Sequence, residues 1–259
     1  RQSTNNEKGF YIMIHIAADL HTHTVASTHA FSTITEMAHE AARLGMYAFA
    51  VTDHGPKMPD SPHIWHFTSL RRLPDQLEGV WVLKGIEANV CTLEGKMDVS
   101  DDELRDMGLD WVIASIHPST LVPSLSVEQA THLWLQVAKN PYVDMIGHCE
   151  TPRYTFDFDA VVREFAREGK VVELNANSSA VRPGGEENMK KLLAACKKHD
   201  AYIALNSDAH FSAALGRVES VIPLVEEMEY PKELIVNADQ ENLLRFLQQK
   251  KKPIAQHMR

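Results

Sequence analysis

The stretch Asp19-Leu20-His21-Thr22-His23 carries two imidazoles spaced for joint work. In an extended segment alternate side chains share a face, so His21 and His23 stand roughly 7 Å apart on one side. Two such rings can converge on one metal ion. A lone His-x-His pair is a weak signal; its weight here comes from recurrence at the ends of later apolar runs. His54 follows Ala50-Val51-Thr52-Asp53, Glu87 follows Lys84-Gly85-Ile86, and His117 follows Ala114-Ser115-Ile116. His148 follows Met145-Ile146-Gly147, while Asp208 and His210 follow Leu205-Asn206-Ser207. With His29, the candidate metal ligands are His21, His23, His29, His54, Glu87, His117, His148, Asp208 and His210. A catalytic zinc takes about three protein ligands, so this set exceeds one ion and suffices for two or three if a carboxylate bridges. The donors are nitrogen and oxygen with no thiolate, which favours zinc, manganese or iron over copper(I) or an iron–sulfur cluster.

Such residues act together only if the chain brings the run ends to one rim. Seven apolar β-type runs are predicted, at 16–22, 47–53, 80–86, 110–116, 143–147, 170–175 and 202–207. Helical patterns lie between and after them, at 34–44, 127–139, 158–168, 187–199, 214–228 and 239–250. Thr33 and Glu36 spell a capping box for the first helix, and Asp157 can cap the one that begins near 158. Strands joined by helical crossovers predict a parallel sheet with right-handed connections, either a closed barrel or an open doubly wound sheet. In both, the C-terminal strand ends form the rim where active sites sit. No Gly-rich fingerprint follows the first run, which weakens a dinucleotide-binding reading. The 259 residues, 44% hydrophobic and 24% charged, suit one globular domain. Residues 1–12 read as a polar extension, with Met13 a candidate natural start.

The net charge of −9 disfavours nucleic acid and anionic membrane as partners, and no apolar run approaches the length of a membrane span. A small anionic substrate stays open, because bound cations reverse the local sign. Cys91, Cys149 and Cys196 are odd in number and widely spaced, which fits neither a disulfide framework nor a thiolate zinc site and points to a reducing cytoplasm. Arg153 and Arg182 follow the fifth and sixth runs, where a guanidinium could grip phosphate through paired hydrogen bonds. His63 and His66 lie in a loop beside the predicted rim and are candidates for a substrate pocket. Asp19 and Asp53 adjoin candidate ligands and could orient their rings. The sixth run ends in Glu173-Leu174-Asn175 and offers no histidine, and Lys250-Lys251-Lys252 reads as a solvated helix end.

The chain resembles the PHP (polymerase and histidinol phosphatase) family, and within it the YcdX type of phosphatase. The resemblance rests on the run from Asp19 through His21, His23 and His29 to Ala30, on Thr52-Asp53-His54-Gly55-Pro56 and on Pro62-His63-Ile64-Trp65-His66-Phe67. Gly85-Ile86-Glu87-Ala88-Asn89 and Ser207-Asp208-Ala209-His210 complete it. It covers about residues 17–255 and implies a distorted (β/α)7 barrel, TIM-like, with residues 13–259 as a single PHP domain. It further implies three divalent metal ions, usually zinc. His21, His23, Glu87 and Asp208 would hold the first. Glu87 would bridge to the second, completed by His117 and His148, and His29, His54 and His210 would hold the third. Lys57, Lys84 and Pro118-Ser119-Thr120-Leu121 depart from the pattern. A homo-oligomer, up to a trimer, is compatible with it.

The expected function is hydrolysis of phosphate monoesters on a small phosphorylated substrate through a metal-bound hydroxide, with Glu87 and Asp208 as the catalytic carboxylates. Two alternatives are an amidohydrolase-like hydrolase of C–N bonds and a non-enzymatic metal-binding accessory module. The first would need a lysine among the ligands, and Lys84, three residues before Glu87, is a poor one.

Overall fold

The computed structural model describes residues 15–258, so the expectations for residues 1–12 and Met13 lie outside the described residues. Among the described residues there are eight strands: β1 Ala18–Asp19, β2 Ala48–Val51, β3 Gln76–Leu77, β4 Val80–Asn89, β5 Trp111–Ser115, β6 Met145–Ile146, β7 Val171–Asn175 and β8 Tyr202–Asn206. Seven run parallel in the order β1-β2-β4-β5-β6-β7-β8, and β3 pairs antiparallel with β4. A parallel bridge between Thr22 and Ala209, with His23 N donating to the Ala209 carbonyl at 2.8 Å, joins the first strand to the last. The sheet is therefore a nearly closed barrel, and the open-sheet alternative falls away. Each predicted run coincides with one parallel strand, though β4 continues past the predicted end at 86 to Asn89 and so takes in Glu87; β3, too short for a periodic signal, was not anticipated.

β1 is much shorter than the predicted 16–22. Beyond Asp19, the Thr52 hydroxyl supplements the backbone pairing, accepting from Thr22 N and donating to the Thr22 carbonyl, both at 3.0 Å, while Thr52 N donates to that same carbonyl at 3.0 Å. The segment stays aligned while its side chains turn toward the rim.

The helices are α1 Ile34–Arg43, α2 Trp65–Ser69, α3 Asp101–Met107, α4 Val127–Ala138, α5 Phe158–Arg167, α6 Ser178–Val181, α7 Glu186–Lys198, α8 Ile222–Glu227 and α9 Gln240–Gln249. The Thr33–Glu36 capping box and the Asp157 cap are both formed. The predicted helix over 214–228 shrinks to α8, because Gly216 takes a φ of 71° and Pro223 lies in the first turn. α3, opened by a Ser100–Glu103 capping box, was too short to be read as a period.

Strand alternation divides the core. Ala48, Ala50, Leu83, Trp111, Ile113, Val171 and Ala204 fill the barrel, and Leu243, Phe246 and Leu247 of α9 plug its floor. Phe49, Val51, Val82, Val112, Val172 and Leu205 face the helices outside. Side chains of opposite parity thus serve two cores, as in closed α/β barrels. Lys252 corrects the solvated-end reading: its ammonium lies 2.6 Å from Asp144 beneath the barrel. No helix among the described residues is long and apolar enough to cross a membrane.

Candidate metal centre

The C-terminal strand ends carry the polar interior. β4 supplies Glu87, β1 leads into His21 and His23, and β2 leads into His54. His117 follows β5, His148 follows β6, and Asp208 and His210 follow β8. Their rings crowd together. The His23 centroid lies 4.3 Å from that of His54 and 4.2 Å from that of His210, and His29 lies 4.4 Å from His210. Glu87 sits in their midst, with His148 Nε2 and His54 Nδ1 each 2.9 Å from one of its oxygens. His21 and His23 approach Asp208 at 3.6 and 3.2 Å.

Two backbone kinks aim this set. His148 has a φ of 28° and Asp208 a φ of 53°, conformations that non-glycine residues rarely adopt. Gly147, beside His148, has no room for a side chain, because a Cβ there would meet Ser115 Oγ at 2.2 Å. Strain gathered at a polar cluster marks a place where side-chain direction matters more than local comfort.

The electrostatics follow from packing many titratable groups away from water. Burial opposes the charge on Glu87, yet His21, His117 and His54 outweigh it and hold the carboxyl well below its usual range. Burial likewise opposes the Asp208 charge, and His21 and His23 hold that carboxyl down. Burial, helped by neighbouring His54 and His210, drives His23 down to about 3, leaving a neutral ring with a lone pair to give. His21 goes the other way: burial lowers it, but Glu173, Glu87 and Asp208 together raise it well above the ordinary value.

Several of these atoms are buried and, though some approach within 2.9 Å, make no hydrogen bond of suitable geometry: His21 Nε2, both ring nitrogens of His23 and of His54, Glu87 Oε2 and His210 Nε2. Imidazole nitrogen and carboxylate oxygen, dehydrated and converging, form a donor set suited to divalent cations. Compact groups within reach of one ion are His21, His23 and Asp208; His23, His54 and His210; His54, Glu87 and His117; and His29, His54 and Asp60. The structure thus brings all nine candidates to one rim, with His54 shared among three groups.

The other expected residues divide. Arg182 lines the cavity above the rim, about 540 Å³ in volume, together with His29, His54, Glu87, His117 and Asp208. Arg153 lines an adjoining cavity of about 460 Å³ that shares His117 and Arg182. His63 and His66 line neither. His63 packs against Trp65, and His66 Nε2 lies 3.0 Å from Asp53. The expected orienting role for Asp19 and Asp53 is also revised. Asp53 binds Thr24, Ser27 and His66, and Asp19 ties Ser207 and Gly216 to the first strand; the hydrogen bonds of neither reach a ring of the nine. Lys84 forms an ion pair with Asp75 at the opposite end, so it offers the cluster no lysine ligand.

The residues that do orient the rings are others. Glu173 accepts from His21 Nδ1 at 2.7 Å and from His148 N at 2.8 Å. Asn89 Oδ1 lies 2.7 Å from His117 Nδ1, and Asp60 lies 2.6 Å from His29 Nδ1. Alternation held the signal for two of them. Glu173 shares parity with inward Val171 on β7, and Asn89 shares the face of Glu87 on β4. Asp60, in a loop, had no such signal.

A family model described as PHP domain matches residues 19–208. The chain is 43% identical over 236 residues to a probable phosphatase of Acetivibrio thermocellus, covering 91% of this chain and 97% of that protein. It is 40% identical to a probable phosphatase of Caldanaerobacter subterraneus subsp. tengcongensis, covering 93% and 94%. Among solved structures, histidinol phosphate phosphatase from Lactococcus lactis, complexed with zinc, L-histidinol and phosphate, aligns with a TM-score of 0.56 at 15% identity, over 83% of this chain and 94% of that one. A crystal structure from Listeria monocytogenes gives 0.58 at 17% identity, over 79% and 99%. These two likenesses concern the fold.

Proposed function

The chain belongs to the PHP domain family, and from that premise we propose that it is a metal-dependent phosphatase acting on phosphate monoesters. The observation that carries the reading is the set of buried, partnerless nitrogen and oxygen atoms around Glu87 and Asp208. An unsatisfied buried polar group costs about 1–3 kcal/mol, so a cluster of them calls for something to bind. His21, His23, Glu87 and Asp208 would hold one divalent cation. Glu87, His117 and His148 would hold a second, and His29, His54 and His210 a third. Zinc suits these donors, with manganese or iron as alternatives. Bound there, such cations supply activation of a water for attack at phosphorus and neutralisation of the phosphoryl oxygens.

The protein's own groups do the positioning. Glu173 fixes the His21 ring so that Nε2 points into the cluster. Asn89 does the same for His117. Arg182 reaches the cavity from α6, its guanidinium 3.6 Å from Asp208, where it can hold a phosphate oxygen by a charge-assisted hydrogen bond. Arg153, one cavity further, would meet a more distant oxygen. A monoester dianion offers more unesterified oxygen to this ring of cationic groups than a diester does, which favours monoesters.

A chelator series tests the reading. Chelation should abolish hydrolysis of an aryl phosphate, and zinc or manganese should restore it; full activity in metal-free protein would end the proposal. His54→Ala should lower bound metal from about three ions per chain to about two, since its ion would keep two protein ligands. Monoester turnover should fall more than diester turnover in that variant, with the far-ultraviolet spectrum retained. Retention of all three ions would reject the ligand assignment.

A further inference from the structure

The cavity wall differs in kind from its floor. Phe31, Val181 and Phe211 line it at 74, 55 and 51% exposure. A single exposed apolar side chain is ordinary, but three around one cavity, beside a dense polar floor, form a patch that marks a binding surface. Both phenylalanines are tied to the floor. Phe31 lies two residues after His29 and Phe211 one after His210. Phe31 N donates to the His210 carbonyl at 2.8 Å, and Ser212 N donates to Ser32 Oγ at 2.9 Å, locking the two segments side by side.

Charge narrows what the wall can receive. Among the described residues, the carboxylates lining the cavity are Glu87 and Asp208, which belong to the floor, and Arg182 stands on the wall. A leaving group bearing an ammonium would find no carboxylate on the wall, only the neutral oxygens of Asn177 and Ser207, and would face Arg182. At about 540 Å³ the cavity is also in the size range of sites that enclose whole small molecules, well beyond phosphate alone.

We propose that Phe31, Phe211 and Val181 hold the leaving-group half of the substrate, and that this half is an uncharged, apolar, ring-sized group. Aryl or benzyl-type phosphate monoesters would then be favoured over amino-alcohol phosphates. The inference rests on the phosphatase reading above. The occupant is the substrate itself because the apolar wall adjoins the floor that the proposed cations would occupy, with Phe31 and Phe211 on the segments that carry His29 and His210, so one molecule with an anionic end and an apolar end matches both.

The test uses non-hydrolysable phosphonates on the metal-loaded protein, read by calorimetry, with inorganic phosphate as the reference. Benzylphosphonate should bind at least about 30-fold more tightly than 2-aminoethylphosphonate. The Phe31→Ala/Phe211→Ala double variant should weaken benzylphosphonate at least about tenfold and inorganic phosphate less than about threefold. Equal binding of the two phosphonates, with phosphate still bound, overturns the inference and leaves the phosphatase reading standing. So does undiminished benzylphosphonate affinity in the double variant together with a changed sedimentation coefficient, which would assign the patch to a contact between copies. Failure to bind phosphate, with no turnover of any phosphate monoester, removes the phosphatase reading and the inference with it.

Discussion

Both ends of the barrel bury charged side chains, and they do so to opposite effect. At the floor, every such group has a partner. Asp144 accepts from Val112 N at 2.9 Å and from Lys252 Nζ at 2.6 Å, and Asp110 accepts from Lys84 N at 3.0 Å. Lys84 pairs with Asp75, and Lys170 donates to the carbonyls of Asn140 and Val143. At the rim, His21, His23, His54, His210 and Glu87 all keep buried atoms without a hydrogen bond. A buried charge that is satisfied within the protein holds a fold together. A buried group that is not satisfied holds a place for something else.

The largest expected effect is at the rim. Glu87 stands between two groups of imidazoles, so Glu87→Ala should cut phosphate release by about a thousandfold or more. Metal content by mass spectrometry should fall in parallel, while the urea midpoint of the metal-free forms stays close to that of the parent. Wild-type turnover in this variant would remove Glu87 from the centre and erase the contrast between the two ends.

Breaking the floor should do the reverse. Asp144→Ala strands the Lys252 ammonium and the Val112 amide, and removing one member of a buried pair costs about 3–5 kcal/mol. Urea denaturation should register that loss, and metal stoichiometry below the transition should not change. Loss of metal in the still-folded variant would show that the floor and the rim are not separable.

A smaller effect belongs to Glu173, which touches the rim from behind. Glu173→Gln should weaken metal affinity by about 10–100-fold through loss of the His21 orientation, a size typical of groups that hold a ligand in place. Competition against a zinc dye would measure it, and unchanged affinity would reduce Glu173 to a packing residue.

The smallest concerns Lys170. Burial, aided by the charge of Lys250, pulls its ammonium down to about 8. The unfolded lysine titrates near 10.4, so between those values the unfolded chain binds more protons and this group adds stability as pH rises. Lys170→Met should remove that contribution, flattening the change in unfolding free energy between pH 8 and 9.5 by about 1.5 kcal/mol. An identical pH slope in the two proteins would place the Lys170 titration elsewhere.

What the sequence alone determined was residue type at strand ends. Runs of β-branched and small apolar residues made the strands, their helical spacers made parallel crossovers unavoidable, and the ends of those runs carried imidazole and carboxylate. That is local and periodic information, so the strands, the Thr33 and Asp157 caps, eight of the side chains that group compactly and His148 beside Glu87 were legible. Periodicity alone left barrel and open sheet undecided and only the family resemblance implied a barrel, because closure depends on the Thr22–Ala209 bridge between segments far apart in the chain. Which carboxylate steadies which ring was likewise undecided. Asp19 and Asp53 adjoin histidines in the chain, yet Glu173 and Asp60, distant in sequence, meet the rings of His21 and His29. Hydrogen bonding is read over about 3 Å of space, not along the chain, and only folding sets that distance. The same holds for Lys252: charge pattern placed it in water, and the approach of the C-terminal segment to the barrel floor placed it on Asp144.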